Sequence, residues 1–195
     1  MQRSRLLLAF VAGALLVGAA AAQVQTWNID PNHTAAQFSV RHLGISTVRG
    51  AFTKVTGTVQ YDPANPGKTV IDASIDANSI DTRVEMRDND LRSPGYFDVA
   101  KFPTLTFKSK KVEAAQAGKL KITGDLTIHG VTKEAVLEVD GPSAPIKDPW
   151  GNMRMGASAS TKINRQDFGV SGGGALVGDE IPITIDLEMV QPVAK

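Results

Sequence analysis

The 195-residue sequence predicts an all-β fold, an eight-stranded antiparallel barrel with up-and-down connections, and three observations carry that expectation. Apolar and polar residues alternate through run after run, short turn signals separate the runs, and the apolar positions mix alanine and glycine with large aliphatics. Strict alternation marks half-buried strands, and short connections favour antiparallel pairing that closes on itself. A two-sheet sandwich has the same period and stays open as the alternative.

Each element follows from its phase. Residues 34–42 put Ala36, Phe38, Val40 and His42 on one face and Gln37, Ser39 and Arg41 on the other. In the second run, 48–61, the apolar phase shifts between Phe52 and Val55, which predicts a bulge that bends the strand. Ile71, Ala73, Ile75 and Ala77 alternate with Asp72, Ser74 and Asp76, and Leu105 and Phe107 with Thr106 and Lys108. Ile122, Leu126 and Ile128 define a fifth strand, and Val131, Ala135, Leu137 and Val139 a sixth. Met153, Met155, Ala157, Ala159 and Ile163 define the seventh, and Ile181, Ile183, Ile185, Leu187 and Met189 the eighth. Asp62-Pro63, Asn65-Pro66-Gly67 and His129-Gly130 punctuate them.

One segment lacks the period of two. Residues 79–103 are charged and predict a short helical connection around residues 82–92, stopped by Pro94-Gly95 and crossing one end of the barrel. Asp81, Glu85, Asp88 and Asp90 interleave there with Arg83, Arg87 and Arg92, the pattern of a solvated, ion-paired face. A long insertion at a barrel mouth is also where a binding site is often built.

Composition narrows the function classes. Arg3 and Arg5 precede an apolar run from Leu6 to Val17 and then small residues, the pattern of a secretory signal peptide. The expected division is a signal peptide over 1–22, cut after Ala22, and one barrel domain over 23–195 in the periplasm or secreted. Residues 1–22 hold two of the 21 basic residues and none of the 20 acidic ones, so the remainder carries 19 against 20, a charge of −1. Such a balance draws no nucleic acid. The absence of cysteine excludes disulfides, thiolate metal sites and a cysteine nucleophile.

The chemical candidates are few. His33 and His42 lie nine positions apart, an odd number, so one continuous strand points them to opposite faces and holds them apart along its length. That argues against a shared metal, and neither a metal nor a cofactor is expected. His33 reads as a turn residue and His42 as an inward polar group near the rim. Gly169-Val170-Ser171-Gly172-Gly173 matches the G-x-S-x-G string of hydrolases. That motif needs a strand-to-helix turn in a parallel sheet, whereas here it falls between two antiparallel strands. Its glycines read instead as a wide turn. The many small inward residues favour a lumen that side chains do not fill.

Several segments together resemble the YceI-like family of exported, lipocalin-like barrels. They are Trp27-Asn28-Ile29-Asp30 with His33, Phe38-Ser39-Val40-Arg41-His42-Leu43-Gly44, Val48-Arg49-Gly50-Ala51-Phe52, Ser79-Ile80-Asp81-Thr82, and Arg87-Asp88 with Leu91-Arg92-Ser93. Tyr96-Phe97-Asp98, Phe102-Pro103, Leu126-Thr127-Ile128-His129-Gly130-Val131-Thr132-Lys133 and Asn164-Arg165-Gln166-Asp167-Phe168-Gly169-Val170 complete the set. The resemblance implies an eight-stranded barrel whose apolar pore takes a long isoprenoid or similar lipid, with the head group near the mouth and no established catalytic residue. One departure is that many relatives carry histidine where this chain has Asp90.

The expected function is therefore a non-enzymatic carrier holding a polyisoprenoid, an isoprenoid quinone or another fatty-chain ligand. Its candidate assembly is a homodimer, without stable membrane insertion. Phe38, Val40, Phe52, Ile75, Phe107, Leu126, Leu137, Met155 and Leu187 carry the apolar phase and are the expected wall residues, with His42 and Arg87 near a head group. A hydrolase or isomerase using His42 with carboxylates of the connection, or an interaction module with a filled lumen, are the competing readings.

Overall fold

A computed structural model of the chain describes residues 24–191, so the signal peptide expected over 1–22 lies outside the described residues. The strands in chain order are β1 (Gln25–Ile29), β2 (Ala35–His42), β3 (Ser46–Phe52), β4 (Val55–Tyr61), β5 (Val70–Asp76) and β6 (Ile80–Asp81). The helix α1 (Glu85–Arg92) follows, then β7 (Thr104–Ala114), β8 (Lys119–Ile128), β9 (Val131–Asp140), β10 (Ile146–Lys147), β11 (Met153–Asn164) and β12 (Glu180–Gln191).

Eight staves close the barrel, because three pairs of short strands each act as one bent stave. The segments β1 and β2 both pair with β12, while β4 and β3 pair with them in turn on the other side. The next stave is β5 with β6, followed by β7, β8, β9 and β11. Every pairing is antiparallel, and twelve register pairs between β11 and β12, from Met153↔Gln191 to Asn164↔Glu180, close the ring. Closure leaves no long exposed edge. The bend read between Phe52 and Val55 is the break between β3 and β4, where the Thr53 N–H turns aside to the Ser79 carbonyl at 3.2 Å. Just beyond it, Gly57 has φ +140° and a Cβ there would sit 2.2 Å from the Asp72 carbonyl oxygen. Only glycine lets β4 and β5 approach so closely.

Each end of the barrel collects its own connections. One end carries the β2–β3 hairpin tip, the α1 connection, the His129-Gly130 turn and the loop from Arg165 to Asp179. We call this the loop end. At the opposite end lie Asp30, the 62–69 and 115–118 turns and the 141–152 segment with β10. There Trp27 is fully buried two residues beyond Ile29, and Met189 is fully buried opposite Ile29.

Two sequence expectations are corrected here. The charges of the α1 connection do not form an ion-paired face: Asp88 is buried and accepts from the Thr82 N–H at 2.8 Å and the Thr82 hydroxyl at 2.5 Å. Arg92 donates to the Asn78 and Ile80 carbonyls instead of to a carboxylate. Short segments on either side of a helix start leave orphan backbone groups, and these side chains satisfy them. The strand β1 was not separated by periodicity, because five residues with two inward side chains, Trp27 and Ile29, are too few to show it.

Candidate functional site

The pleat of all eight staves turns one apolar face inward, and these faces enclose a cavity of about 220 Å³ running along the barrel. A single water needs only about 10–15 Å³ of such space, so the lumen is far from filled. Its wall is aliphatic and aromatic. Among the lining residues Arg165 is the one charged group, and there is no carboxylate and no histidine.

All nine residues expected on the wall line this cavity: Phe38, Val40, Phe52, Ile75, Phe107, Leu126, Leu137, Met155 and Leu187. Small neighbours make the room, since Ala36, Ala73, Ala157 and Ala159 line it too. Ala73 on β5 and Ala159 on β11 sit on staves four apart in the ring of eight, on opposite walls of the lumen. At the loop end α1 contributes Leu91, and the connection after it contributes Tyr96 and Phe97. The Phe97 ring meets Phe52 edge-on at 5.3 Å, and Phe52 lies 5.9 Å from Phe38. Edge-to-face packing of this kind ties the connection to the wall.

The two expected head-group residues do not reach the lumen. His42 keeps the inward phase of β2 but stands at its last position, beyond the barrel rim, where it is exposed and bridges to Val177. Alternation assigns a face and does not say where the enclosed volume stops. Arg87 donates Nε to the Thr82 hydroxyl at 2.7 Å and Nη2 to the Thr82 carbonyl at 2.9 Å, bracing the entry to α1. Asp90 is exposed on the same helix.

Periodicity gave no sign of Arg165. It is 5% exposed and lies on the loop-end wall, and its five N–H groups are spent on five backbone carbonyls. Nε donates to Gly178, Nη1 to Val170 and Gly172, and Nη2 to Gly174 and Val177, at 2.7–3.2 Å. The Asp179 carboxylate neutralises it at 3.1 Å. The G-x-S-x-G string thus lies in a loop wound around an arginine, not at a nucleophile elbow. Its Gly172 is required because a Cβ there would meet the Gly95 carbonyl at 2.5 Å and the Tyr96 ring at 2.6 Å.

A second arginine marks the other end. Arg154 donates Nε to Asp148 at 2.8 Å and Nη1 to Asp30 at 2.7 Å and to Glu188. Burial pushes the Asp30 carboxyl up, but Arg154, the His33 ring and the Asn32 N–H hold it down, to about 2. Asp148 is likewise held at about 2, with burial opposing and Arg154, Asn152 and Trp150 N–H prevailing. Asp30, His33 and Glu188 lie close enough to suggest a metal triad, yet Arg154 occupies the carboxylate oxygens, which makes this an ionic clamp. His33 is the turn residue expected, with Nδ1 3.0 Å from Asp30.

Comparison with known proteins agrees with this geometry. The model of the YceI-like domain matches residues 27–189. "Protein YceI" of Salmonella arizonae is 36% identical over 187 residues, 95% of this chain and 97% of the relative. A crystal structure of a Campylobacter jejuni YCEI protein is 33% identical, with a TM-score of 0.68 over 78% of this chain and 90% of that one. A polyisoprenoid binding domain from Saccharophagus degradans, 17% identical, shares the fold with a TM-score of 0.61 over 87% of this chain and 100% of that one.

Proposed function

The chain belongs to the YceI-like family, and from that premise we propose that it is a binding protein that holds one long, uncharged lipid chain in its lumen. The observation that carries this reading is the wall itself: continuous hydrocarbon whose single charge has no N–H left to offer a ligand. Each methylene moved from water onto such a wall contributes about 0.8 kcal/mol, so a prenyl or acyl chain is retained without any polar anchor. An isoprenoid, an isoprenoid quinone or another fatty-chain amphiphile fits, and the fold shared with the polyisoprenoid binding domain from Saccharophagus degradans supports the same reading. Polar groups available to a head include the phenols of Tyr61 and Tyr96 and the hydroxyl of Thr161, all on the lining.

Binding is favoured over turnover because an enzyme needs a proton donor and acceptor converging on the substrate, and the described wall carries neither carboxylate nor imidazole. The leader-like residues 1–22 support export to the periplasm or beyond, and a purified protein whose first residue is Gln23 is the expected result of N-terminal sequencing. The carrier reading is tested by native mass spectrometry of protein purified from its host, followed by solvent extraction. A co-purifying apolar molecule is expected. Delipidated protein that takes up no polyprenol, quinone or fatty amide in a titration overturns the reading.

A further inference from the structure

The loop end carries an apolar tip that the fold does not use. Leu43 and Ile45, at the turn between β2 and β3, are 52% and 80% exposed, and Leu176 beside them is 54% exposed. The Leu43 N–H donates to the Leu176 carbonyl at 2.8 Å, which sets Leu176 beside the turn that carries Leu43 and Ile45. Leu43 also has φ +53°, a conformation that glycine or asparagine adopts at lower cost. A hydrophobic residue there is tolerated at the expense of both strain and exposure.

The hairpin itself carries charge of one sign. Residues 31–61 contain no carboxylate, whereas the hairpin arms bear Arg41, His42 and Arg49. Arg41 is fixed over the turn by bonds to the Gly44 carbonyl (2.6 Å) and the Thr47 hydroxyl (2.9 Å), and neither Arg41 nor Arg49 has a carboxylate partner among the described residues. Of the carboxylates on neighbouring loop-end segments, Asp179 is engaged with Arg165 and Gln166, Glu180 with Lys162, and Asp81 with the Arg83 N–H. The tip also continues into the lumen. Val40 lies two residues from His42, and Val177, next to Leu176, bridges to His42; both valines line the cavity.

We propose that this tip docks the barrel on an anionic phospholipid surface, with Leu43, Ile45 and Leu176 entering the acyl boundary and Arg41 and Arg49 meeting the phosphates. Side chains of this kind bind reversibly by apolar burial plus attraction to anionic lipid. The inference rests on the carrier reading for its purpose: a docked mouth lets a chain pass between bilayer and lumen along Val177 and Val40 without crossing water.

The test is sedimentation of the purified protein with sucrose-loaded vesicles of equal parts phosphatidylcholine and phosphatidylglycerol at low salt. The wild type is expected to pellet, and phosphatidylcholine alone to bind it much less. The double variant Leu43→Ser with Ile45→Ser should lose at least about tenfold in affinity, the effect of withdrawing two aliphatic side chains. Arg41→Gln should lose about fivefold, one cation's share at an anionic surface. Because these positions are exposed, thermal melts of the variants should match the wild type. Trp150→Ser, which removes an exposed aromatic at the opposite end, should leave pelleting unchanged. A wild type that stays in the supernatant, a double variant that pellets like the wild type, or loss of pelleting in Trp150→Ser overturns the proposal. So does a double variant whose only change is dissociation of a dimer by analytical ultracentrifugation, which assigns the tip to a second copy. Titration with a soluble polyprenol runs in parallel. If every protein fails to take up the probe while the wild type still pellets, the carrier reading fails and the docking surface stands.

Discussion

At one end of the barrel Arg154 sits among three carboxylates, and at the other Arg165 sits among five backbone carbonyls. Both are bidentate-capable cations at positions where the chain must be tied down, but they neutralise different things. Arg154 joins side-chain charges from Asp30 after β1, Asp148 in the 141–152 segment and Glu188 on β12, so that end is clamped by groups that titrate. Arg165 collects the carbonyls of Val170, Gly172, Gly174, Val177 and Gly178, peptide dipoles that do not titrate, and a single carboxylate, the half-exposed Asp179. The Arg154 end therefore answers to pH more than the loop end, which is held chiefly by backbone geometry.

The largest effect is expected from Arg165→Met. It strands five carbonyls in a loop packed on Tyr96 and should cost about 3–5 kcal/mol in chemical denaturation, as when one member of a buried polar set is removed. A loss below about 1 kcal/mol, the value of an ordinary surface contact, would mean that the loop does not depend on its arginine. Next comes Phe38→Arg, which puts a guanidinium into the lumen. It should abolish lipid uptake while the barrel stays folded by circular dichroism, and unchanged affinity would remove Phe38 from the site.

Arg154→Met should cost most at neutral pH, where Asp30 and Asp148 are ionised without their cation, and so be distinct in its pH dependence. Asp30 and Asp148 are held at about 2 in the folded protein against an ordinary 3.8. Depressed carboxyl groups stabilise the fold above the unfolded value, and that contribution is lost as pH falls from about 3.8 to about 2. Without Arg154 the same carboxyls lose the partner that opposes their burial and protonate earlier. Stability towards denaturant should therefore fall less steeply between about pH 3.8 and about pH 2 in Arg154→Met than in the wild type, while Arg165→Met should unfold more easily at every pH with the wild-type pH dependence. Coincident pH dependences in wild type and Arg154→Met would erase the contrast between the ends. The smallest effect belongs to Asp90→His, an exposed change that should alter stability by less than about 0.5 kcal/mol and leave lipid uptake unaltered.

How far the sequence could be read follows the same division. Wall residues such as Phe107, Leu137 and Leu187 were legible because a pleated strand repeats every two residues and a closed barrel has only one inside. The bend at Thr53-Lys54 was legible as a phase shift. His42 was assigned the right face and the wrong environment, because phase carries no information about where neighbouring staves end. Arg165 left no periodic trace; its partners are main-chain carbonyls from a glycine-rich loop, and backbone acceptors have no residue code. The resemblance marked its segment without giving its role. Asp88 and Arg87 looked like half of an ion-paired face, yet backbone and hydroxyl groups of Thr82 took them first. Orphan amides and carbonyls near a helix start outcompete exposed ion pairs, which contribute little in water.

If the lumen is hydrocarbon space kept for a lipid chain, narrowing it must cost uptake. Ala73→Leu combined with Ala159→Leu fills that space from opposite walls with side chains the wall already favours. Titration of the delipidated double variant with a polyprenol, beside its denaturation curve, tests the claim most directly. The expected result is loss of uptake with stability retained or increased, since the added methylenes enter a void. Undiminished uptake, or a loss of stability of about 1–3 kcal/mol typical of an overpacked core, would contradict it.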